Sequence, residues 1–253
     1  MFNAILLTAF HLSIYRSWQC GGRMDSIPCS HVGHIFRDTH PYFIPDDSHG
    51  KNTMRMAEVW MDDYKRLFYV HRTDLKGKKV SDVSDRLALK KELNCKPFSW
   101  FLKNVIPHKF IMDEDTKEWG RFRNGKYPQI CIDHLQLDKG HHLSPYYLGQ
   151  YACHAYLGSS QFFSLSKNDE LRNEYYCAEI GTKDNQQKIY MYKCHDGPNQ
   201  KWEKTSDNAI RNIQSGKCLT SPSVDINFAS GQELLAKDCD GSLEQEWNIE
   251  FKN

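Results

Sequence analysis

The 253-residue sequence has almost no net charge: 33 Lys and Arg stand against 32 Asp and Glu, for a formal +1. A chain so balanced sets up no field of one sign to gather it on nucleic acid or an anionic membrane, and neither is expected as a partner. Long apolar runs are absent as well. The longest, Ala4 to Leu12, is interrupted by Thr8 and His11 and falls far short of the roughly 20 residues that cross a bilayer. It also lacks a basic flank and a clear small-residue cleavage site, so it reads only weakly as a secretory signal. Closely spaced cysteines are missing too. No two lie two to four positions apart, the spacing that structural zinc sites use. Against these absences, 40% hydrophobic and 26% charged residues exclude intrinsic disorder and suffice for one large or two ordinary domains.

Nine cysteines are present, at Cys20, Cys29, Cys95, Cys131, Cys153, Cys177, Cys194, Cys218 and Cys239. The last six form three successive pairs separated by 22, 17 and 21 positions. That regularity suggests disulfides rather than zinc, and disulfides imply an oxidising compartment, the secretory lumen or the cell exterior. From Ile130 onward the whole pattern recurs three times, at about 40 to 46 residues. The units read Cys131-Ile132-Asp133 to Gln161-Phe162-Phe163, then Cys177-Ala178-Glu179 to Gln200-Lys201-Trp202, then Cys218-Leu219-Thr220 to Gln245-Glu246-Trp247. Each holds two short strand-like runs, with turn residues such as Asp196-Gly197-Pro198-Asn199 and Asp240-Gly241 placed as hairpin connections. A unit of about 40 residues cannot bury an aromatic face alone, so three must share a centre and close a barrel-like β body around a pseudo-threefold axis. Phe163, Trp202 and Trp247 are expected in its core.

The paired cysteines, the Cys-Leu-Asp-like step and the Gln-x-Trp ending resemble the ricin B-type lectin β-trefoil. The resemblance implies a sugar held by a carboxylate, an aromatic ring under its apolar face, and an Asn after the second cysteine. The first repeat keeps Asp133 and Tyr151, with His154 next to its cysteine, but has Ser160 where Asn is usual. The second has Tyr192, His195 and Asn199, with Glu179 in the aspartate position, one methylene longer. The third has Thr220 and Glu244 at the two key positions and looks incapable. The expected order of sites is first, second, third.

The N-terminal half is different in kind. Asn52 to Tyr69 places Ala57, Trp60, Met61, Tyr64, Leu67 and Phe68 on one face of an amphipathic helix. Ser84 is expected to cap a second helix through Leu87, Ala88 and Leu93, and Pro97 to open a third that buries Phe98, Phe101, Leu102 and Val105 before Pro107. Residues 111–120, acidic and aperiodic at their start, read as a linker.

Several strings in this half carry a second resemblance: Trp18-Gln19-Cys20-Gly21-Gly22, then Ile27-Pro28-Cys29-Ser30-His31-Val32-Gly33-His34-Ile35-Phe36-Arg37, His40-Pro41-Tyr42, Glu58-Val59-Trp60-Met61-Asp62-Asp63-Tyr64, Asp82-Val83-Ser84-Asp85-Arg86-Leu87 and Cys95-Lys96-Pro97-Phe98. Together with the trefoil they resemble polypeptide N-acetylgalactosaminyltransferases over nearly all of positions 15 to 253. The expected fold is an α/β fragment at 1–110, the C-terminal part of a GT-A-like glycosyltransferase domain, a linker at 111–120, and an all-β β-trefoil at 121–253. The resemblance implies a retaining enzyme of the Golgi lumen that uses Mn2+ and moves N-acetylgalactosamine (GalNAc) from UDP-GalNAc to Ser or Thr of peptides or glycopeptides. It implies His34 as a metal ligand, Arg37 and His40 at the donor diphosphate, and Tyr42 in a loop closing over UDP. It also implies Cys20–Cys95, Cys131–Cys153, Cys177–Cys194 and Cys218–Cys239 disulfides, with Cys29 left over.

Two departures qualify that activity. The nucleotide-binding half with its Asp-x-His metal ligands has no counterpart here, and Leu12 occupies the position of a family glutamate. The polypeptide as it stands is therefore expected to be inactive as a transferase, the alternative function being that of a non-catalytic lectin for GalNAc-bearing glycopeptides.

Overall fold

The computed structural model describes residues 15–25, 27–31, 33, 47–135, 146–155, 159–183, 186–224 and 231–252. The chain divides into two units, Met1–Pro107 and His108–Asn253.

The described elements of the first unit are helices and turns. Helix α1 spans Ser48–Trp60 and opens on Asp47, whose carboxylate accepts the Gly50 N–H. It buries Met54, Met56, Ala57, Val59 and Trp60. Continuous helix from Asn52 to Tyr69 is not what forms. The chain breaks after Trp60, makes a 3-10 turn over Asp62–Tyr64, and resumes as α2, Lys65–His71. The reason lies in Asp62, which takes a left-handed φ of 47°. Its carboxylate accepts the Phe98 N–H at 2.7 Å and the Lys90 ammonium at 2.7 Å. One side chain thus ties together the next two helices, α3 (Ser84–Glu92) and α4 (Phe98–Asn104), and those two bonds offset the cost of the strained backbone.

Ser84 starts α3 rather than capping it: the Asp82 carboxylate accepts the Ser84 N–H at 2.9 Å. Leu87 and Leu93 remain exposed, while Phe98 and Phe101 of α4 are buried and stack at 5.6 Å. Cys20 and Cys95 are bonded. The buried Gln19 amide donates to Trp60 O at 3.1 Å and the Gln19 backbone carbonyl accepts the Lys96 N–H at 2.6 Å, so chain far apart in sequence is held by one covalent and two polar links. Burial and the Glu58 carboxylate push the Tyr69 hydroxyl up to about 12, keeping it a donor to Glu58 at 2.9 Å.

The second unit is a closed β-barrel of three repeats. Six strands make its wall: β1 (Thr116–Asn124), β5 (Phe163–Ser166), β6 (Leu171–Asn173), β9 (Trp202–Lys204), β10 (Ile210–Asn212) and β14 (Trp247–Lys252). β1 pairs with β5, β5 with β6 and β9 with β10. Single bridges Glu170–Lys201 and Ala209–Glu246 link β6 to β9 and β10 to β14. Antiparallel β14 against β1, Glu118 opposite Lys252, closes the ring.

Three hairpins, β2–β4, β7–β8 and β11–β13, cover one end (Ile130–Asp133 with Gly149–Ala152, Tyr176–Lys183 with Gln186–Lys193, Lys217–Thr220 with Leu235–Asp238). Short strands β3 (Tyr146–Tyr147) and β12 (Gln232–Glu233) join them by pairing with β8 and β4. The core repeats with the fold. Phe163, Trp202 and Trp247 are fully buried, as are Phe122, Leu171 and Ile210, and Leu148, Ile189 and Leu234 meet at the axis through backbone hydrogen bonds.

β1 begins at Thr116, within the stretch read as linker. Residues before it also belong to this unit: the Phe110 N–H donates to Glu174 O, the Phe110 ring lies 4.5 Å from the Arg172 guanidinium, and Met112 is buried. An acidic, aperiodic stretch is thus pinned by backbone bonds and one arginine, neither visible as periodicity.

Candidate saccharide site

Each repeat places its second cysteine and its Gln-x-aromatic segment against the same hairpin, and the buried glutamine does the joining. The side-chain carbonyls of Gln161, Gln200 and Gln245 accept the N–H groups of His154, His195 and Asp240 at 2.9, 3.0 and 2.9 Å. Their amides donate to Ala152, Lys193 and Asp238 carbonyls. The bends after Cys153, Cys194 and Cys239 therefore sit beside the hairpins, and the disulfides Cys131–Cys153, Cys177–Cys194 and Cys218–Cys239 lock the chain there, the fourth, Cys20–Cys95, lying within the first unit. Cys29 is exposed and unbonded. Trp202 and Trp247 donate their indole N–H to Ala178 O and Leu219 O.

Sequence reasoning missed three residues that perform the reverse task. Asn124, Asn173 and Asn212, all buried, donate to carbonyls in or just before the Gln-x-aromatic segment of the third, first and second repeat in turn: Glu244 and Glu246, Phe162, and Asn199 and Lys201. An apolar-Arg-Asn string recurs ahead of each first cysteine, at Phe122-Arg123-Asn124, Leu171-Arg172-Asn173 and Ile210-Arg211-Asn212, and was the signal available.

In the first repeat Tyr151 stands opposite Cys131 with its ring 5.8 Å from that of His154, and Asp133 stands opposite Gly149 on the same hairpin. Asp133 is only 5% exposed. One oxygen accepts the Leu135 N–H at 2.9 Å and the other the Ser160 hydroxyl at 3.2 Å. Both oxygens are engaged within the protein. The neighbouring His134 is buried, and burial lowers its pKa despite the opposing charge of Asp133.

The second repeat is more open. Tyr192, opposite Cys177, is 42% exposed, and the Glu179 side chain 16%. Glu179 Oε2 accepts Gln200 Nε2 at 2.9 Å and lies 3.0 Å from His195 Nε2. The Gly197 N–H donates to His195 Nδ1 at 3.1 Å, which leaves the neutral ring's proton on Nε2, pointing at Glu179. Gly197 is needed for this turn, because a Cβ there would lie 2.5 Å from the His195 ring and 2.8 Å from Asn199 Oδ1. Glu179 Oε1 has no donor among the described residues. The result is a carboxylate oriented through one oxygen with the other free to accept hydroxyls, beside an exposed ring and an amide.

The third repeat offers none of this. Thr220 donates to Cys218 O and accepts Gln245 Nε2, Glu244 pairs with Lys126, and Lys237 stands where the other repeats have Tyr.

The donor-side residues His34, Arg37, His40 and Tyr42 lie outside the described residues. Among those that are described, no three His, Cys, Asp or Glu side chains gather as a metal ion requires, and no helix is long and apolar enough to cross a membrane.

Residues 118–247 match the model of the ricin-type beta-trefoil lectin domain. Across both units the chain is 42% identical over 242 residues to a probable N-acetylgalactosaminyltransferase 9 of Caenorhabditis elegans, covering 93% of this chain and 40% of that protein. It is 39% identical over 230 residues to polypeptide N-acetylgalactosaminyltransferase 6 of Bos taurus, covering 82% and 34%. The chain belongs to the polypeptide N-acetylgalactosaminyltransferase family. Its fold resembles the crystal structure of GalNAc-T7 with UDP, GalNAc and Mn2+, at a TM-score of 0.54 and 26% identity over 93% of this chain and 42% of that one. It therefore spans less than half the length of the GalNAc-transferases it matches.

Proposed function

We propose that this chain is the lectin-bearing part of a UDP-GalNAc:polypeptide transferase of the Golgi lumen, and that the 253-residue polypeptide itself acts by binding GalNAc-bearing glycopeptides rather than by turning over donor. The second trefoil repeat is the favoured site. The observation that carries this is Glu179, whose one oxygen is fixed by Gln200 and His195 while the other has no donor among the described residues. A carboxylate held in this way accepts sugar hydroxyls without first losing an internal bond, Tyr192 offers a ring to the sugar's apolar face, and Asn199 stands beside them. The first repeat, favoured from residue types, has a donor on each Asp133 oxygen and only 5% of that residue exposed, so sugar hydroxyls have less access to it than to Glu179.

In the donor-side reading, His34 would hold Mn2+, whose chemistry is to neutralise the leaving diphosphate, and Arg37, His40 and Tyr42 would contact the donor. The described residues supply no set of three ligands for that ion, and no step is assigned to it.

Retention on immobilised GalNAc, together with a UDP-release assay on UDP-GalNAc and Mn2+, tests the proposal. Glu179→Ala and Tyr192→Ala are each expected to weaken binding about tenfold, Thr220→Ala to leave it unchanged, and no UDP to be released. Retention indifferent to both Glu179 and Tyr192 would refute the site, and steady transfer by this polypeptide would make it an enzyme in its own right.

A further inference from the structure

The second repeat orients its carboxylate through a histidine that can be neutral or charged, and the bend around that histidine suits only the neutral state. His195 is exposed, and both of its ring nitrogens are engaged. Nδ1 accepts the Gly197 N–H at 3.1 Å, and Nε2 lies 3.0 Å from Glu179 Oε2. The Gly197 donor is a backbone group held by its neighbours. Asp196 before it is left-handed at φ 58°, Pro198 follows it, and the Gly197 carbonyl accepts the Gln200 N–H at 3.0 Å. Asn199 packs against the same glycine, its Oδ1 being 2.8 Å from where a Gly197 Cβ would stand. Uptake of a proton by the ring places an N–H on Nδ1, so that two donors face each other across the 3.1 Å spanned by that hydrogen bond. One must leave. The ring is tied at its other end to Glu179, whose attraction grows when the ring is charged. Asp196 and Pro198 are exposed, so the turn is the part that can move out and give its N–H to water.

We infer that His195 is a pH-sensitive latch on the second-repeat site: neutral, it holds the bend at 196–199 in the form that binds saccharide, and protonated, it releases the bend and weakens binding. The inference rests on the saccharide reading of that repeat and adds its regulation. Two consequences of protonation act in the same direction. Asn199 moves away with Gly197, taking an amide out of the site. The imidazolium beside Glu179 offsets the charge that makes the other carboxylate oxygen a strong acceptor. Histidine is the side chain whose charge ordinarily changes between about pH 5 and 8. The other charged and titratable groups around the ring are Glu179 on β7, Tyr192 and Lys193 at the end of β8, and Asp196 with its partner Lys201 at the bend. The Lys201 ammonium holds the Asp196 carboxyl below its ordinary range, so that ion pair persists while His195 titrates. Gln200, whose amide donates to Glu179 Oε2 at 2.9 Å, carries no titratable group, so the latch turns on one ring.

Titration of the purified polypeptide with GalNAc between about pH 8 and pH 5, together with NMR spectra of the glycine-labelled protein without sugar, tests this. GalNAc is expected to bind about tenfold more weakly at the acid end, and the Gly197 amide signal to shift over the same interval as its hydrogen bond is lost. His195→Gln, which takes up no proton, is expected to bind less tightly at the alkaline end, with an affinity that changes less than about twofold on acidification. An affinity independent of pH in the unsubstituted protein overturns the latch and leaves the saccharide site standing. A loss that persists in His195→Gln places the titrating group elsewhere and overturns it equally. A Gly197 amide indifferent to pH refutes release of the turn, whether or not the variant folds. If GalNAc binds at no pH, the saccharide reading falls and this inference with it.

Discussion

At the level of single residues, the trefoil is held by three kinds of side chain repeated three times, and their energies differ. Trp202 buries its whole ring and satisfies Ala178 O through its indole N–H. Trp202→Ala should cost about 3–5 kcal/mol. Trp202→Phe, which introduces the residue type found at Phe163, keeps most of the packing but leaves a buried carbonyl without its donor, for about 1–2 kcal/mol. Urea denaturation of the two variants would separate packing from hydrogen bonding, and a Trp202→Phe protein as stable as the unsubstituted one would show that the Ala178 bond contributes nothing. Of these residues the aromatic ones and the glutamines are legible in the sequence, because the repeat keeps their order next to a cysteine. The asparagines were not, since each works on a neighbouring repeat, across the boundary at which the first cysteine seemed to begin a unit. The ranking of Asp133 over Glu179 used residue type alone: residue type says which groups accept, and only the fold shows that Ser160 and the Leu135 N–H each donate to an Asp133 oxygen.

Among the elements, the pairing of β14 with β1 carries the clearest electrostatic signature. Glu250 on the last strand receives Arg121 at 2.8 Å and Arg123 at 2.8 Å from the first. Burial works to raise its pKa, but the hydrogen bonds and charges of the two arginines outweigh that and hold it below the ordinary value. A carboxyl depressed on folding stabilises the folded state above its unfolded pKa of about 4.3, and the contribution disappears as pH falls through the lower folded value. Glu250→Gln is therefore expected to lower stability by about 1–2 kcal/mol at pH 7, the deficit closing as pH falls through the lowered folded value and the native residue itself becomes protonated. A deficit independent of pH in thermal melts would mean that shape, not charge, is what Glu250 supplies. The helices were legible in kind but not in extent. Apolar periodicity carried Asn52 to Tyr69 as one helix, whereas Asp62 ends it to serve Phe98 and Lys90, a long-range bond that no local pattern encodes.

On the scale of the molecule, the threefold β body was readable because cysteine pairs and Gln-x-aromatic endings repeat at near-constant intervals, and such periodicity fixes a fold more firmly than any one motif. Its starting point was not, because β1 has no cysteine to mark it and pairs with a strand at the far end of the sequence. That pairing also decides how the trefoil answers to force. Glu118 faces Lys252 and Asn124 faces Trp247, so the outermost ends of the first and last strands sit together at one end of a single ladder. A load drawn between those two ends opens the ladder one bond at a time instead of shearing all of them at once. Single-molecule stretching from Thr116 and Lys252 should therefore show low rupture force and early loss of this seam, and a high, abrupt rupture would contradict the zipper.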